Sequence, residues 1–269
     1  MARRAADRLG ARDGRIVNVT FLGTGTSTGV PVPTCTCDVC RSSDPKDARL
    51  RPSVLLRWDG ATVLVDTSTD LRQQVLRLGL MALDAVVYTH AHADHVFGLD
   101  ELRMFNWRRG GAIPVYGSAA TLAALRRTFW YAFEDVQAGG GKPLLDLHEV
   151  QGPFPLLGRT VVPVPLQHGE LPIFGYRIGR FAYLTDVSTI PDASYPLLRD
   201  LEVLVLSALR HRPHPTHMHL ARALEEAARI GAARTLFTHI AHEISHAAVS
   251  GSLPKGIELA YDGLTLEVA

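Results

Sequence analysis

Apolar residues gather along this chain into short runs bounded by turn residues, and between several of these runs they recur every three or four positions instead. Strand-like runs occupy residues 16–22, 53–58 and 62–66, and Ala85-Val86-Val87-Tyr88 reads as a buried strand. Asp59-Gly60, between the second and third runs, predicts a hairpin turn. A second half repeats the pattern, with strands predicted near 114–116 and over 160–164, 174–178, 181–184, 203–206 and 235–238. Helical spacing predicts helices over 69–78, over 94–107 with Leu99, Leu102 and Phe105 on the apolar face, and over 219–230. Strands alternating with helices place the chain in the α/β class.

Composition narrows this to one enzyme domain expected in the cytoplasm: 269 residues, 46% hydrophobic and 20% charged, bury a large core without splitting. Residues 1–14 stand apart. They are basic and have no apolar core of the kind a signal peptide or anchor needs, so a frayed tail is expected there, with the domain over 15–269. No apolar run reaches transmembrane length, no repeat period is present, and a formal charge of +1 carries no footprint for nucleic acid. The expected partner is a small molecule, with neither nucleic acid nor membrane.

Candidate chemistry is densest at Thr89-His90-Ala91-His92-Ala93-Asp94-His95, directly after a strand. His90 and His92, two apart in extended chain, point the same way and can share one ion. Asp94 and His95 open a helical pattern, leave the loop in another direction and suit a second ion. Imidazole and carboxylate accept zinc, manganese or iron, which leaves the metal open. The three cysteines, Cys35, Cys37 and Cys40, have the tight C-x-C-x-x-C spacing of a tetrahedral thiolate site that lacks its fourth ligand. Their odd number and the lack of a secretory signal speak against disulfides. Gly23-Thr24-Gly25-Thr26-Ser27-Thr28-Gly29 has no phosphate-loop lysine, and Thr28 stands where a dinucleotide fingerprint has its third glycine. It reads as a tight turn toward the cysteines that could still line a pocket.

The run His90-x-His92-x-Asp94-His95 resembles the His-x-His-x-Asp-His signature of the metallo-β-lactamase superfamily. That resemblance implies an αββα sandwich, two mixed β-sheets flanked by helices. It also implies that His168, Asp186 and His239, each at the C-terminal end of a strand-like run, complete the site. By resemblance His90, His92 and His168 hold one metal, Asp94, His95 and His239 hold the other, and Asp186 bridges them. The cysteine cluster is similar to the structural zinc site of one subgroup, the phosphoribosyl cyclic phosphate phosphodiesterases of phosphonate breakdown. The fourth ligand there lies three residues after the last active-site histidine, which in this chain is His242. The implied cofactors are two divalent ions (Zn, Mn or Fe) and one structural zinc. The ligands span residues 90 to 239 and 35 to 242, so a domain boundary between them would cut a site.

The activity implied is hydrolysis of a small (cyclic) phosphodiester by metal-activated water, with Asp94 and His217 as catalytic residues. By resemblance His217 stands where the subgroup keeps a histidine that is not a ligand, just before a helix, and would protonate the leaving group. His219 departs from the usual pattern and competes for that role. His211 and His214 read as part of a proline-stiffened exposed loop. Arg103 can pair with Asp100 at i, i+3 or reach a substrate phosphate, so Arg103 and His219 are the candidate substrate-binding residues. Phe129-Trp130-Tyr131-Ala132-Phe133, ahead of Gly139-Gly140-Gly141, suits a lid, core packing or a homodimer contact. The competing readings are a thioester or lactam hydrolase, and a small-molecule binding or oxidising protein like those of pyrroloquinoline quinone biosynthesis. A tRNA-processing nuclease would need an RNA-gripping arm and a basic surface.

Overall fold

A computed structural model of the chain describes residues 16–134 and 141–269, so the expected tail and the glycines at 139 and 140 lie outside the described residues. Among the described residues, the apolar runs form two seven-stranded mixed sheets. The first holds, side by side, β14 (Thr265–Val268), β1 (Val17–Gly23), β2 (Ser53–Trp58), β3 (Ala61–Val65), β4 (Ala85–Val87), β5 (Ile113–Gly117) and β6 (Leu145–Glu149). The second holds β13 (Ile257–Leu259), β12 (Arg234–Thr238), β11 (Val203–Ser207), β10 (Phe181–Leu184), β9 (Leu171–Ile178), β8 (Arg159–His168) and β7 (Phe154–Leu156). In each sheet antiparallel pairing gives way to parallel pairing, at β3/β4 in the first and β10/β11 in the second.

The strands are apolar throughout because both faces are covered. Val63, Val65, Ala85 and Val87 face the opposite sheet, where they pack with Phe181, Tyr183, Val203, Val205 and Leu236 in the central layer. Leu64, Val86 and Tyr88, which alternate with them, face outward onto helices α1 (Leu71–Leu78), α3 (Leu102–Arg109) and α4 (Ala119–Thr128). Ala182, Leu184, Leu204, Leu206 and Phe237 do the same on the second sheet, beneath α6 (Leu220–Ile230). Side-chain alternation thus serves two cores at once, giving the αββα sandwich. Fully burying each such aliphatic side chain contributes roughly 1.5–3 kcal/mol. Among the described residues, no helix is long and apolar enough to cross a membrane.

Two features differ from the sequence-based expectation. The helix expected over 94–107 is broken into α2 (Ala93–Val96), a 3-10 turn at Leu99–Glu101 and α3. The break lies at Phe97-Gly98, where the Gly98 amide donates to the Thr67 carbonyl (3.0 Å) and the bare Cα rests on the neighbouring backbone. A Cβ there would stand 2.1 Å from the Ser68 carbonyl oxygen. Strands β6, β7, β13 and β14 and helices α4, α5 (Trp130–Phe133) and α7 (His246–Ser250) were not anticipated. Those strands lie at or next to sheet edges, where one face meets solvent and the apolar run is interrupted, as the alternation along β14 illustrates.

Gly98→Ala is therefore expected to destabilise the protein by about 2 kcal/mol or more. Urea denaturation followed by circular dichroism checks this, and an unchanged midpoint would show that the Thr67-Ser68 backbone yields.

Candidate metal centre

Five strands end at one rim of the sandwich and each delivers a polar group there. Asp66 follows β3, His90 and His92 follow β4, His168 is the last residue of β8, Asp186 follows β10 and His239 follows β12. Asp66, Asp186 and His239 have φ of 62°, 56° and 57°, left-handed values that turn each side chain off its strand. Non-glycine residues adopt this region at a cost and concentrate in it at functional sites.

The structure brings His90, His92, His168 and Asp186 together as one set and Asp94, His95, Asp186 and His239 as another, with ligand atoms in each set within 4.8 Å of one another. Asp186 belongs to both. In the second set His95 Nε2 lies 3.2 Å from Asp186 Oδ1 and 3.4 Å from Asp94 Oδ2, while His239 Nε2 lies 3.2 and 3.5 Å from the same two atoms. Two ligands bound tetrahedrally at zinc-type bond lengths stand about 3.4 Å apart. Nε2 of His90 and of His95 is buried without a hydrogen-bond partner, which a metal would supply. The residues fit divalent ions. His92 is exposed and forms the solvent side of the cluster.

Hydrogen bonds behind the cluster set which ring nitrogen is free. His95 Nδ1 lies 2.8 Å from Asp66 Oδ2; an ionised carboxylate can only accept, so Nδ1 carries a proton and Nε2, which faces Asp94 and Asp186, is the atom that would bind an ion once its own proton is displaced. Asp66 also accepts from the Thr89 amide and hydroxyl, each at 2.8 Å, and that hydroxyl lies 3.0 Å from His90 Nδ1. His168 Nδ1 donates to the Thr216 carbonyl at 2.7 Å. Such outer contacts orient metal-binding imidazoles. Sequence reasoning gave Asp66 no role, although it ends an apolar run just as Asp186 does.

The electrostatics favour a cation. Burial opposes charge on His95, but the carboxylates of Asp186, Asp94 and Asp66 outweigh it and hold its pKa well above the usual imidazole range. Burial likewise works against the charged form of Asp186, yet His239 and His95 hold its carboxyl well below the usual range. Burial, reinforced by His239, pushes His217 down to about 3 although Asp186 pulls the other way, so the ring is neutral near pH 7.

His217 Nδ1 lies 4.0 Å from Asp186 Oδ2, and its ring stacks on His239 at 4.9 Å. It opens into a cavity of about 580 Å³ whose walls include Gly169, Thr189, His214, His219 and Arg222. His219 directly precedes α6, and its side chain makes no capping hydrogen bond to the helix. Arg103 pairs with Asp100 at 2.9 Å, and Tyr131 donates to the same carboxylate at 2.7 Å. Of the aromatic run, Phe129 is core while Trp130 is exposed.

Cys35, Cys37, Cys40 and His242 form a third cluster, with no disulfide among the cysteines. The three sulfurs lie 3.2, 3.4 and 3.5 Å from His242 Nδ1. A tetrahedral zinc with sulfur and nitrogen ligands places them about 3.5 Å apart. The Cys40 amide, donating to the Cys37 sulfur, brings that thiol down to about 6. The glycine turn buttresses both sites: Ile240, between His239 and His242, donates to the Thr24 carbonyl at 2.9 Å, and Gly25 packs against Arg49 too closely to admit a Cβ comfortably.

A sandwich of this topology with metal-ligand sets at its rim defines a metal-dependent hydrolase fold. The family described as "Beta-lactamase superfamily domain" matches residues 61–240, and the chain belongs to this metallo-β-lactamase superfamily. A crystal structure described as a new diphosphatase from the PhnP family is 47% identical, with a TM-score of 0.88 over 94% of this chain and 97% of that one. An octanoyltransferase of Porphyromonas gingivalis (strain ATCC BAA-308 / W83) is 41% identical over 90% of this chain. The chain spans about half the length of that relative (50%). A ribonuclease Z of Mycobacterium sp. (strain KMS) is 26% identical over 94% of this chain and 96% of its own length.

Asp186→Ala is expected to lose metal from both sets, read as the metal content of dialysed protein against the wild type; retention of a full complement would remove Asp186 from the shared position. Because an ion bound at His95 would have to displace a proton, metal affinity is expected to weaken about tenfold per pH unit on acidification through the window below the raised His95 pKa. Calorimetric titration in buffers of different ionisation enthalpy would read the released proton directly.

Proposed function

We propose that this hydrolase is a phosphodiesterase acting on a small diester through two divalent ions, with a third, structural zinc in the cysteine cluster. The observation that carries the reading is the Asp186 carboxylate shared by two ligand sets. Ions held there would lower the pKa of a bound water and neutralise charge building on the phosphoryl oxygens. Burial works against charge on Asp94, but the neighbouring imidazoles of His95 and His239 hold its carboxyl well below the usual range, and bound cations would favour the ionised form further. It can accept a hydrogen bond from the attacking water.

His217 protonates the leaving oxygen. The ring is neutral in the free protein, and the negative charge of the diester, brought into the same sheltered space, favours its imidazolium form. The cavity beside it would receive the leaving group, with His219 at its wall; Arg103, tied to Asp100, is the weaker substrate contact. The similarity to a diphosphatase supports a phosphorus rather than a carbonyl centre, since diphosphate and diester cleavage both break a P–O bond. A formal charge of +1 supports a small substrate over RNA, the substrate class suggested by the ribonuclease Z relative.

Metal-loaded protein should cleave bis(p-nitrophenyl) phosphate and a dialkyl phosphodiester faster than a phosphomonoester, a thioester or a β-lactam. His217→Ala is expected to lower kcat on the dialkyl diester about a hundredfold. Faster turnover of the thioester or lactam would replace this proposal with a carbonyl hydrolase.

A further inference from the structure

The turn after β12 sends three side chains to three destinations. His239 joins the second ligand set, His242 joins the cysteine cluster, and Glu243 pairs with Arg212 and lies 3.9 Å from Arg210 Nε. The turn itself is held firmly, with Ile240 donating to Thr24 at 2.9 Å and Ala241 donating to the Leu209 carbonyl at 2.9 Å.

Arg210 and Arg212 belong to the loop that carries His217. The base of that loop is closed by backbone bonds from Leu209 to Met218 (2.9 Å), Leu220 to Arg210 (2.8 Å) and Met218 to Val187 (2.8 Å). Its outer bend is braced by Arg210, which donates to the Arg212 carbonyl at 3.2 Å and the Pro213 carbonyl at 3.0 Å. Glu243 is the carboxylate that meets both arginines of this brace.

We infer that Glu243 is a positioning residue for His217, fixing the arginine-braced loop so that the imidazole stays against His239 and Asp186. The turn that closes the cysteine cluster thereby also sets the proton donor. Arg212 is 74% exposed, and a pair so open to water contributes little to stability. The effect of breaking it falls on orientation, to which proton transfer is sensitive.

The inference rests on His217 being the proton donor, so the test separates the two ideas. Steady-state kinetics would be measured on metal-loaded protein with a p-nitrophenyl diester, whose leaving group needs little protonation, and a dialkyl diester, whose leaving group needs it. The variants are Glu243→Gln, Arg212→Met, His217→Ala and the double variant His217→Ala/Glu243→Gln, each with its metal content determined. Glu243→Gln and Arg212→Met are expected to lower kcat on the dialkyl diester about tenfold, with about twofold or smaller changes on the p-nitrophenyl diester and in KM, and with full metal content. In the His217→Ala background, Glu243→Gln is expected to change nothing further. Equal losses on both substrates, loss of metal or additive losses in the double variant would overturn the inference while leaving His217 as donor. A His217→Ala variant that treats both leaving groups alike would remove the donor reading and this inference with it.

Discussion

Negative charge taken out of water is the constraint on which the rest of the site depends. Asp66, Asp94 and Asp186 are all at least nine-tenths buried at one rim of the sandwich. Bare carboxylates there would be costly, and each is compensated by imidazoles or by backbone and hydroxyl donors. Asp66 orients His95 directly and His90 through Thr89, so one carboxylate that is not itself in a ligand set reaches both of them. The residual negative field is what a divalent cation answers.

The architecture makes this concentration of charge tolerable. Strands covered on both faces supply rigid ends, and the left-handed residues Asp66, Asp186 and His239 convert strand direction into side-chain direction. The rim is mixed in origin: the first sheet and its loops bring Asp66, His90, His92, Asp94 and His95, while the second brings His168, Asp186 and His239. Neither sheet holds a complete pair of ligand sets.

What was legible in the sequence follows from how local each signal is. The His90-to-His95 run and the cysteine spacing are local, and could be read as metal chemistry without any fold. His168, Asp186, His239 and His242 are single residues, visible as ligands only through a family resemblance. Asp66 shows the boundary well, because an aspartate ending an apolar run can touch an ion or touch a ligand, and only three-dimensional contact separates the two roles. The Gly98 break was hidden because its cause is the Ser68 backbone, thirty residues earlier in the chain. The edge strands were hidden because half of each faces water. Glu243 and Arg212, thirty-one residues apart, carry no pattern that would pair them.

In the first sheet β14 lies beside β1, with Val268 opposite Val17. Within this domain the first strand therefore waits for the last before its outer edge is covered, and the second ligand set waits for His239. A nascent chain emerging from the ribosome meets the metals of the cell with the His90-to-His95 run already exposed and its partners not yet made. Each complete ligand set would therefore exist only once the two sheets have closed, which makes the site a product of the folded sandwich and not of either half alone.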